Sequence, residues 1–248
     1  MLIINPNNLE DIISLKIGDI AFPEIEYVRG LELQLPRTTL KGAYSIITKY
    51  INPEIFDVLK WDVHGDIEWQ NLMLEKISNE ITQMIDLFRS NENARTDDFL
   101  KRIFIWIQLW GGITGRRPFV KNSAFYETFQ TDIYRKSIDF ILNDNFTLAL
   151  TNLNQLKGIQ TAFATKHIYF WSQKKAPILD RLIANIIFGK SIPLEKDYKR
   201  YYDSLNTALT SLPNSADLTI SDFERCLFNW ANTDEGIRWR ALRIKKAY

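Results

Sequence analysis

Three consecutive stretches between Asn154 and Gly189 hold the side chains best suited to chemistry. The first is Leu156-Lys157-Gly158-Ile159, followed by Gln160 and Thr161. Glycine has no Cβ, so it lets two helices meet at a sharp turn. Such a turn exposes backbone N–H groups at the start of the second helix, and these, with the helix dipole, can hold a phosphate. Lys157 adds a positive charge at the same place. The same Leu–Gly pattern also joins helices that bind nothing. The second stretch is Thr161–Trp171, whose small residues Ala162, Ala164 and Thr165 suit close helix packing. Lys166 stands in the middle of this apolar helix, either at its edge with the stem buried or as a functional amine. His167 reads as a packed core histidine. The third is Ala176-Pro177-Ile178-Leu179-Asp180-Arg181, an apolar approach that ends in a carboxylate at a helix start. Asp180 there is a helix cap, since Asp is among the best capping residues. A cap would hold the carboxylate still while one oxygen faces a cleft, so capping and chemistry are compatible.

The elements that must carry these residues read as helices. Leu74, Ile77, Ile81, Met84, Ile85 and Phe88 recur at helical spacing with polar residues opposite. Thr96-Asp97-Asp98 reads as the start of a further helix through Trp110, which Gly111-Gly112 ends. A loop over Ile113–Pro118 follows. Further helices are expected over about Ser123–Leu142, Thr147–Leu153, Ile159–Trp171, Leu179–Phe188, Leu194–Ser211, Ser221–Ala231 and Asp234–Lys245. Phe22–Leu35 fits extended chain and Pro53–Leu59 a short helix. Ser90–Arg95 is either a joint or an ordinary inter-helix loop. There is no internal repeat and no low-complexity tract.

Bulk properties bound the function. The chain has 248 residues, 46% of them hydrophobic and 25% charged, with few Gly and Pro for its length. That suits one compact, mostly helical globular protein. Net charge is only +1, but its distribution is uneven. Trp61–Phe99 holds nine acidic and three basic residues, whereas Leu153–Tyr201 holds nine basic and three acidic. A neutral protein with a basic half can still meet phosphates with that face, although a solvated surface explains the same numbers. The single cysteine, Cys226, excludes a disulfide framework and a Cys-rich metal site, and His64 and His167 are the only histidines. No metal and no cofactor are expected. The start lacks the pattern of a signal peptide, and no run approaches a membrane span, so a cytoplasmic protein is expected.

The order of hairpin, small-residue helix ending Lys166-x-x-x-Phe170, loop, and Pro177-Ile178-Leu179-Asp180-Arg181-Leu182-Ile183 resembles the catalytic core of helix-hairpin-helix (HhH-GPD) DNA glycosylases. It is most similar to a small bacterial branch described by an 8-oxoguanine DNA glycosylase fold. Trp110-Gly111-Gly112 and Arg116-Arg117-Pro118 are similar to that branch less specifically. The close resemblance covers the Asn154–Gly189 stretch, a weaker one runs from about Thr96 to the end, and residues 1–95 lie outside it.

The resemblance implies an all-α, multi-helix fold with a helix-hairpin-helix DNA-binding motif. It implies a glycosylase core over 96–248, with the hairpin at 153–171; residues 1–95, outside the resemblance, are read as an N-terminal helical region of uncertain role. It makes Asp180 the catalytic carboxylate. Lys157, Gly158, Ile159, Gln160, Thr161 and Arg181 would then contact DNA. Bifunctional relatives carry a Schiff-base lysine just inside the second hairpin helix. Here that slot falls on Gln160 or Ala162, which implies a monofunctional enzyme; Lys166, one to two turns on, is the one candidate substitute. A carboxylate near C1′ suits the oxocarbenium-like state of base release. A flipped base also needs planar neighbours and polar readers. Trp110, Phe119 and Trp230 are candidates for the first, with Trp239 a further one, and Gln108 and Arg116 for the second, with core packing the alternative for each aromatic residue. The expected partner is double-stranded DNA containing a damaged or modified base, bound by a monomer. A non-catalytic hairpin DNA binder and a helical protein-interaction domain are the competing readings.

Overall fold

A computed structural model describes residues 13–17, 20–23, 67–111, 125–190, 192–211 and 219–246. Among these residues the fold is all-α in class, with one two-stranded hairpin. The chain divides into two compact units, residues 35–173 and residues 1–34 with 174–248.

The first unit begins its described part with α1 (Ile67–Ser90). Ile77, Ile81, Met84, Ile85 and Phe88 are its buried stripe, as the spacing predicts. Arg95 closes this helix by donating to the carbonyls of Phe88 (3.2 Å) and Arg89 (2.8 Å). These are orphan acceptors of a helix end, so the Ser90–Arg95 segment is tied down by its own side chain. Thr96 then caps α2 (Asp97–Trp110), its hydroxyl accepting from the Phe99 N–H at 3.2 Å. Gly111 ends α2, and a Cβ there would run into the Phe163 ring, so glycine lets the helix end approach its neighbour.

One helix was expected over about 123–142; the structure has two, α3 (Phe125–Thr128) and α4 (Thr131–Leu142). The break falls at Phe129, whose ring packs on Phe104 (4.8 Å between centroids) and Tyr134 (5.7 Å). Aromatic burial there outweighs continuation of the helix. Asp144, with φ 54°, turns the chain into α5 (Phe146–Leu153). The Asn152 amide of α5 donates to Ile133 O (2.6 Å) and Ser137 Oγ (2.8 Å), fixing α5 on α4. The unit closes with α6 (Thr161–Trp171), which packs on α1, α2, α4 and α5.

In the second unit, β1 (Ile13–Ile17) pairs antiparallel with β2 (Ile20–Pro23), placing Leu15 opposite Phe22 and Ile17 opposite Ile20. Extended chain was expected only from Phe22, so most of this hairpin was not foreseen. Strands of four or five residues are too short for period-two alternation to stand out. The expectations for residues 24–35 and 53–59 lie outside the described residues. The hairpin packs on α7 (Arg181–Phe188) and α8 (Glu195–Ser211). Gly189, with φ 64°, ends α7 in the left-handed conformation that glycine favours. Last come α9 (Ile220–Ala231) and α10 (Asp234–Lys246). The buried Trp239 ring of α10 donates to Ile186 O of α7 at 3.1 Å and meets Trp230 of α9 edge to face.

Candidate functional site

The turn from α5 to α6 follows from its sequence. Leu156 and Ile159 are 4% and 5% exposed and act as its two apolar anchors. Between them Gly158 adopts φ 89°, where a Cβ-bearing residue would be strained. Lys157 is exposed and Gly158 half-buried, so the outer surface of the turn is glycine backbone and a lysine stem. Gln160 is the N-cap of α6, in extended conformation, and its side chain makes no capping hydrogen bond. Its carbonyl accepts from the N–H groups of Phe163 (2.8 Å) and Ala164 (2.9 Å). Thr161 is buried, starting the packed face of the helix. An uncapped helix start with an adjacent lysine has the charge and donors that an anion needs.

In the other unit, Asp180 caps α7. It sits in extended conformation, φ −94° and ψ −177°, and its Oδ1 accepts from the Ile183 N–H at 3.0 Å. Its second oxygen makes no hydrogen bond among the described residues, and the side chain is half-buried. One oxygen is therefore fixed and the other is available. The approach to Asp180 is also fixed. Ala176, Pro177, Ile178 and Leu179 are buried. The Ser221 hydroxyl of α9 donates to Lys174 O and lies 3.4 Å from Ala176 O, and the Tyr198 hydroxyl of α8 donates to Pro177 O at 3.2 Å. Arg181 is exposed in the first turn of α7.

Residues 82–228 match the model of a family described as "Putative 8-oxoguanine DNA glycosylase OGG-like protein". The chain belongs to this family. No curated protein and no solved structure matches it. The match begins inside α1, includes the α5–α6 turn and Asp180, and ends within α9. For an OGG-like chain the family description points to a DNA glycosylase and to DNA as the substrate.

Within this OGG-like chain, α6 carries a buried polar relay that runs to α2 and α4. The Trp171 ring N–H donates to the Tyr134 hydroxyl at 2.8 Å. Tyr134 lies 2.9 Å from His167 Nδ1, and His167 Nε2 lies 2.7 Å from the Gln108 side-chain amide. With its oxygen already accepting from Trp171, the Tyr134 hydroxyl is best satisfied by donating to Nδ1. His167 then carries its proton on Nε2, and because the Gln108 amide is placed with its nitrogen towards Nε2 and its oxygen unpartnered, the amide must be turned over so that the oxygen accepts. Burial, and secondarily the charge of Lys166, pushes the His167 pKa down to about 3, so the ring is neutral and structural. Burial likewise raises the Tyr134 pKa.

This relay explains Gln108, which is 0% exposed. Its amide is engaged by His167, which fixes its orientation. Trp110 is 9% exposed, stacked 6.0 Å from Tyr169 and edge-on to Phe170 at 5.1 Å. Lys166 is half-buried, with its ammonium 4.3 Å from the centre of the Phe163 ring. Gln108, Trp110 and Lys166 thus belong to the first unit, around α2 and α6. Trp230 belongs to the second, 1% exposed against Trp239, so both tryptophans are core side chains there. Arg116 and Phe119 lie outside the described residues. Tyr134, Tyr198 and Ser221 carried no signal in the sequence, because each meets its partner across 20 or more intervening residues.

Proposed function

We propose that this OGG-like protein is a monofunctional DNA glycosylase that flips a damaged or modified base out of duplex DNA and hydrolyses its N-glycosidic bond. The observation that carries this reading is the geometry of Asp180: Oδ1 held by the Ile183 N–H at 3.0 Å, with the second oxygen unengaged among the described residues. As the bond between C1′ and the base nitrogen lengthens, positive charge grows on the sugar. A carboxylate fixed at that point stabilises the charge and orients the attacking water. The water oxygen bonds to C1′, its proton passes to Asp180, the departing base takes the bonding electron pair, and an abasic site remains.

The turn residues Lys157, Gly158, Ile159, Gln160 and Thr161, with Arg181, serve as DNA contacts. The glycine allows the backbone to approach, and the lysine and arginine meet phosphate charge. With Gln108 engaged by His167 and Trp230 and Trp239 packed in the core, Trp110, Arg116 and Phe119 are the candidates left for base recognition. Lys166 has its ammonium over the Phe163 ring. Hydrolysis without strand cleavage fits the absence of a lysine at Gln160 and Ala162, the hairpin positions where bifunctional relatives carry one. The substrate class is an oxidised purine of the 8-oxoguanine type or a modified cytosine of phage DNA. The protein works in the cytoplasm as a monomer, in base excision repair or in defence against phage.

A base-release assay tests this. Wild type and Asp180→Asn are incubated with duplexes carrying 8-oxoguanine, uracil, an alkylated purine, or hydroxymethylcytosine with and without glucose. Release by wild type alone, with strand breaks only after alkali, is the expected result. Breaks without alkali would reassign the chemistry to an amine such as Lys166. Salt-sensitive DNA binding with no release from any duplex would favour the non-catalytic binder. A strain lacking the gene should become more sensitive to phage or mutate more often, and which of the two occurs separates defence from repair.

A further inference from the structure

The chain that leads to Asp180, from Lys175 onward, belongs to no helix or strand, and it is buried from Ala176 to Leu179. Carbonyls in such a segment have no ladder to join and must find partners elsewhere. Two of those partners are side-chain hydroxyls from separate helices. Tyr198, in the first turn of α8 and 1% exposed, donates to Pro177 O at 3.2 Å. Ser221, at the start of α9 and 5% exposed, donates to Lys174 O and lies 3.4 Å from Ala176 O. Burial first, then Tyr202 and Glu224, raises the Tyr198 pKa, so its hydroxyl keeps the proton that it donates.

Phe in place of Tyr198 and Ala in place of Ser221 would fill nearly the same volume. What the two hydroxyls add is direction, applied to the backbone just before the carboxylate. The Pro177 carbonyl is held by Tyr198, and the Pro177 ring limits φ. Three residues on, the Ile183 N–H holds Asp180 Oδ1 at 3.0 Å. Only Ile178 and Leu179 lie between these two fixed points, and both are enclosed, 1% and 0% exposed. A rotation of the Pro177 peptide therefore has nowhere to be absorbed except at Asp180. Displacing a reacting group by about 1 Å can slow a reaction about 100-fold.

We propose that Tyr198 and Ser221 are positioning residues for Asp180: by holding the Pro177 and Lys174 carbonyls, they set where the second carboxylate oxygen stands relative to the sugar. They speed base release without touching DNA. The proposal rests on the DNA glycosylase reading above. Hydroxyls that only satisfied buried carbonyls would affect unfolding and nothing else.

The test compares Tyr198→Phe and Ser221→Ala with wild type. Thr233→Ala is the control for lost stability, because it removes a hydroxyl that accepts from the Gly236 N–H at 3.2 Å in the same unit, at the start of α10. Base release is followed in single turnover with protein in excess, on the 8-oxoguanine duplex or whichever duplex of the base-release assay wild type acts on. Duplex affinity and thermal unfolding are measured on the same samples, and release is read well below the unfolding temperature of every variant. Tyr198→Phe and Ser221→Ala should each release base about tenfold more slowly, with Kd within about twofold of wild type. Thr233→Ala should unfold at a lower temperature and release base at the wild-type rate. Release within about twofold of wild type in both hydroxyl variants would overturn the positioning role and leave the glycosylase reading standing. So would a loss matched by weaker duplex binding, or an equal loss in Thr233→Ala. Wild type that releases no base from any duplex would overturn both.

Discussion

Asp180 has an observed role and a proposed one that separate substitutions can pull apart. As a cap it gives Ile183 N–H a partner at 3.0 Å. As the proposed catalyst it would offer a negative charge to the sugar. Asp180→Asn keeps an amide oxygen in the capping position and removes the charge. Asn and Asp cap about equally well, so the cost to folding is the charge–dipole part alone, about 0.5 kcal/mol. Asp180→Ala removes the cap as well and should cost about 1–1.5 kcal/mol. Base release should not follow that ranking. Removing one preorganised group from charge stabilisation typically slows catalysis about 100- to 1,000-fold, and Asn cannot accept the water proton, so both variants should lose at least that much. Single-turnover base release and thermal unfolding of the three proteins, measured side by side, test the separation. Asp180→Asn should be nearly as stable as wild type and nearly inactive. Release by Asp180→Asn within a few fold of wild type would refute the catalytic role, and a capped helix would be all that remained.

Other consequences follow from the same geometry. His167 is held neutral with a pKa near 3, below its unfolded value of 6.5, so its contribution to stability is complete above about pH 6.5 and declines as pH falls, by about 1.4 kcal/mol per unit. Chemical denaturation between about pH 6.5 and 5, where ordinary carboxylates remain mostly ionised, should show that slope in wild type. His167→Gln should lower stability at neutral pH and flatten the slope. Gly158→Ala places a Cβ at φ 89° and should cost about 1–2 kcal/mol in unfolding experiments while weakening DNA binding more than Lys157→Met does. Lys157→Met should leave stability unchanged and reduce the salt slope of DNA binding by about 1. Lys190 makes two hydrogen bonds of 2.8 Å to Asp197, whose side chain is 6% exposed. Lys190→Met would strand that carboxylate and should cost about 2 kcal/mol, reduced from a fully buried pair because Lys190 is 37% exposed. The double variant Lys190→Met/Asp197→Leu should recover most of the loss.

What was legible in the sequence was local. The buried stripe of α1, the Thr96 cap of α2, the glycine turn before α6 and the Asp180 cap of α7 each depend on residues within a turn or two of one another. Helical periodicity and capping preferences are rules of that range. The break at Phe129 was not legible, because it depends on Phe104 and Tyr134, and Phe104 lies 25 residues earlier. The β1–β2 hairpin was hidden by its shortness. At the candidate site, His167 reads correctly as a core residue, yet its partners Gln108, Tyr134 and Trp171 come from three helices. The hydroxyls of Ser221 and Tyr198 are ordinary residues on polar helices until the fold brings them to the backbone before Asp180.

Those two hydroxyls bear on how a single carboxylate can be sufficient. A carboxylate on a free loop must be oriented during the reaction, and that reorganisation subtracts from what it stabilises. Asp180 is constrained from both directions along the chain. After it, the Ile183 N–H fixes one oxygen and the helix fixes the backbone. Before it, Pro177 limits φ, Tyr198 holds the Pro177 carbonyl, and Ser221 holds the Lys174 carbonyl. Lys174 itself has φ 67°, a left-handed conformation that a non-glycine residue keeps only when its surroundings require it. The hydroxyl that binds its carbonyl is such a requirement. The left-handed turn at Lys174, the hydrogen bond at Pro177 and the cap at Asp180 therefore form one continuous constraint, and the part of Asp180 left unconstrained is the oxygen that the proposed chemistry would use.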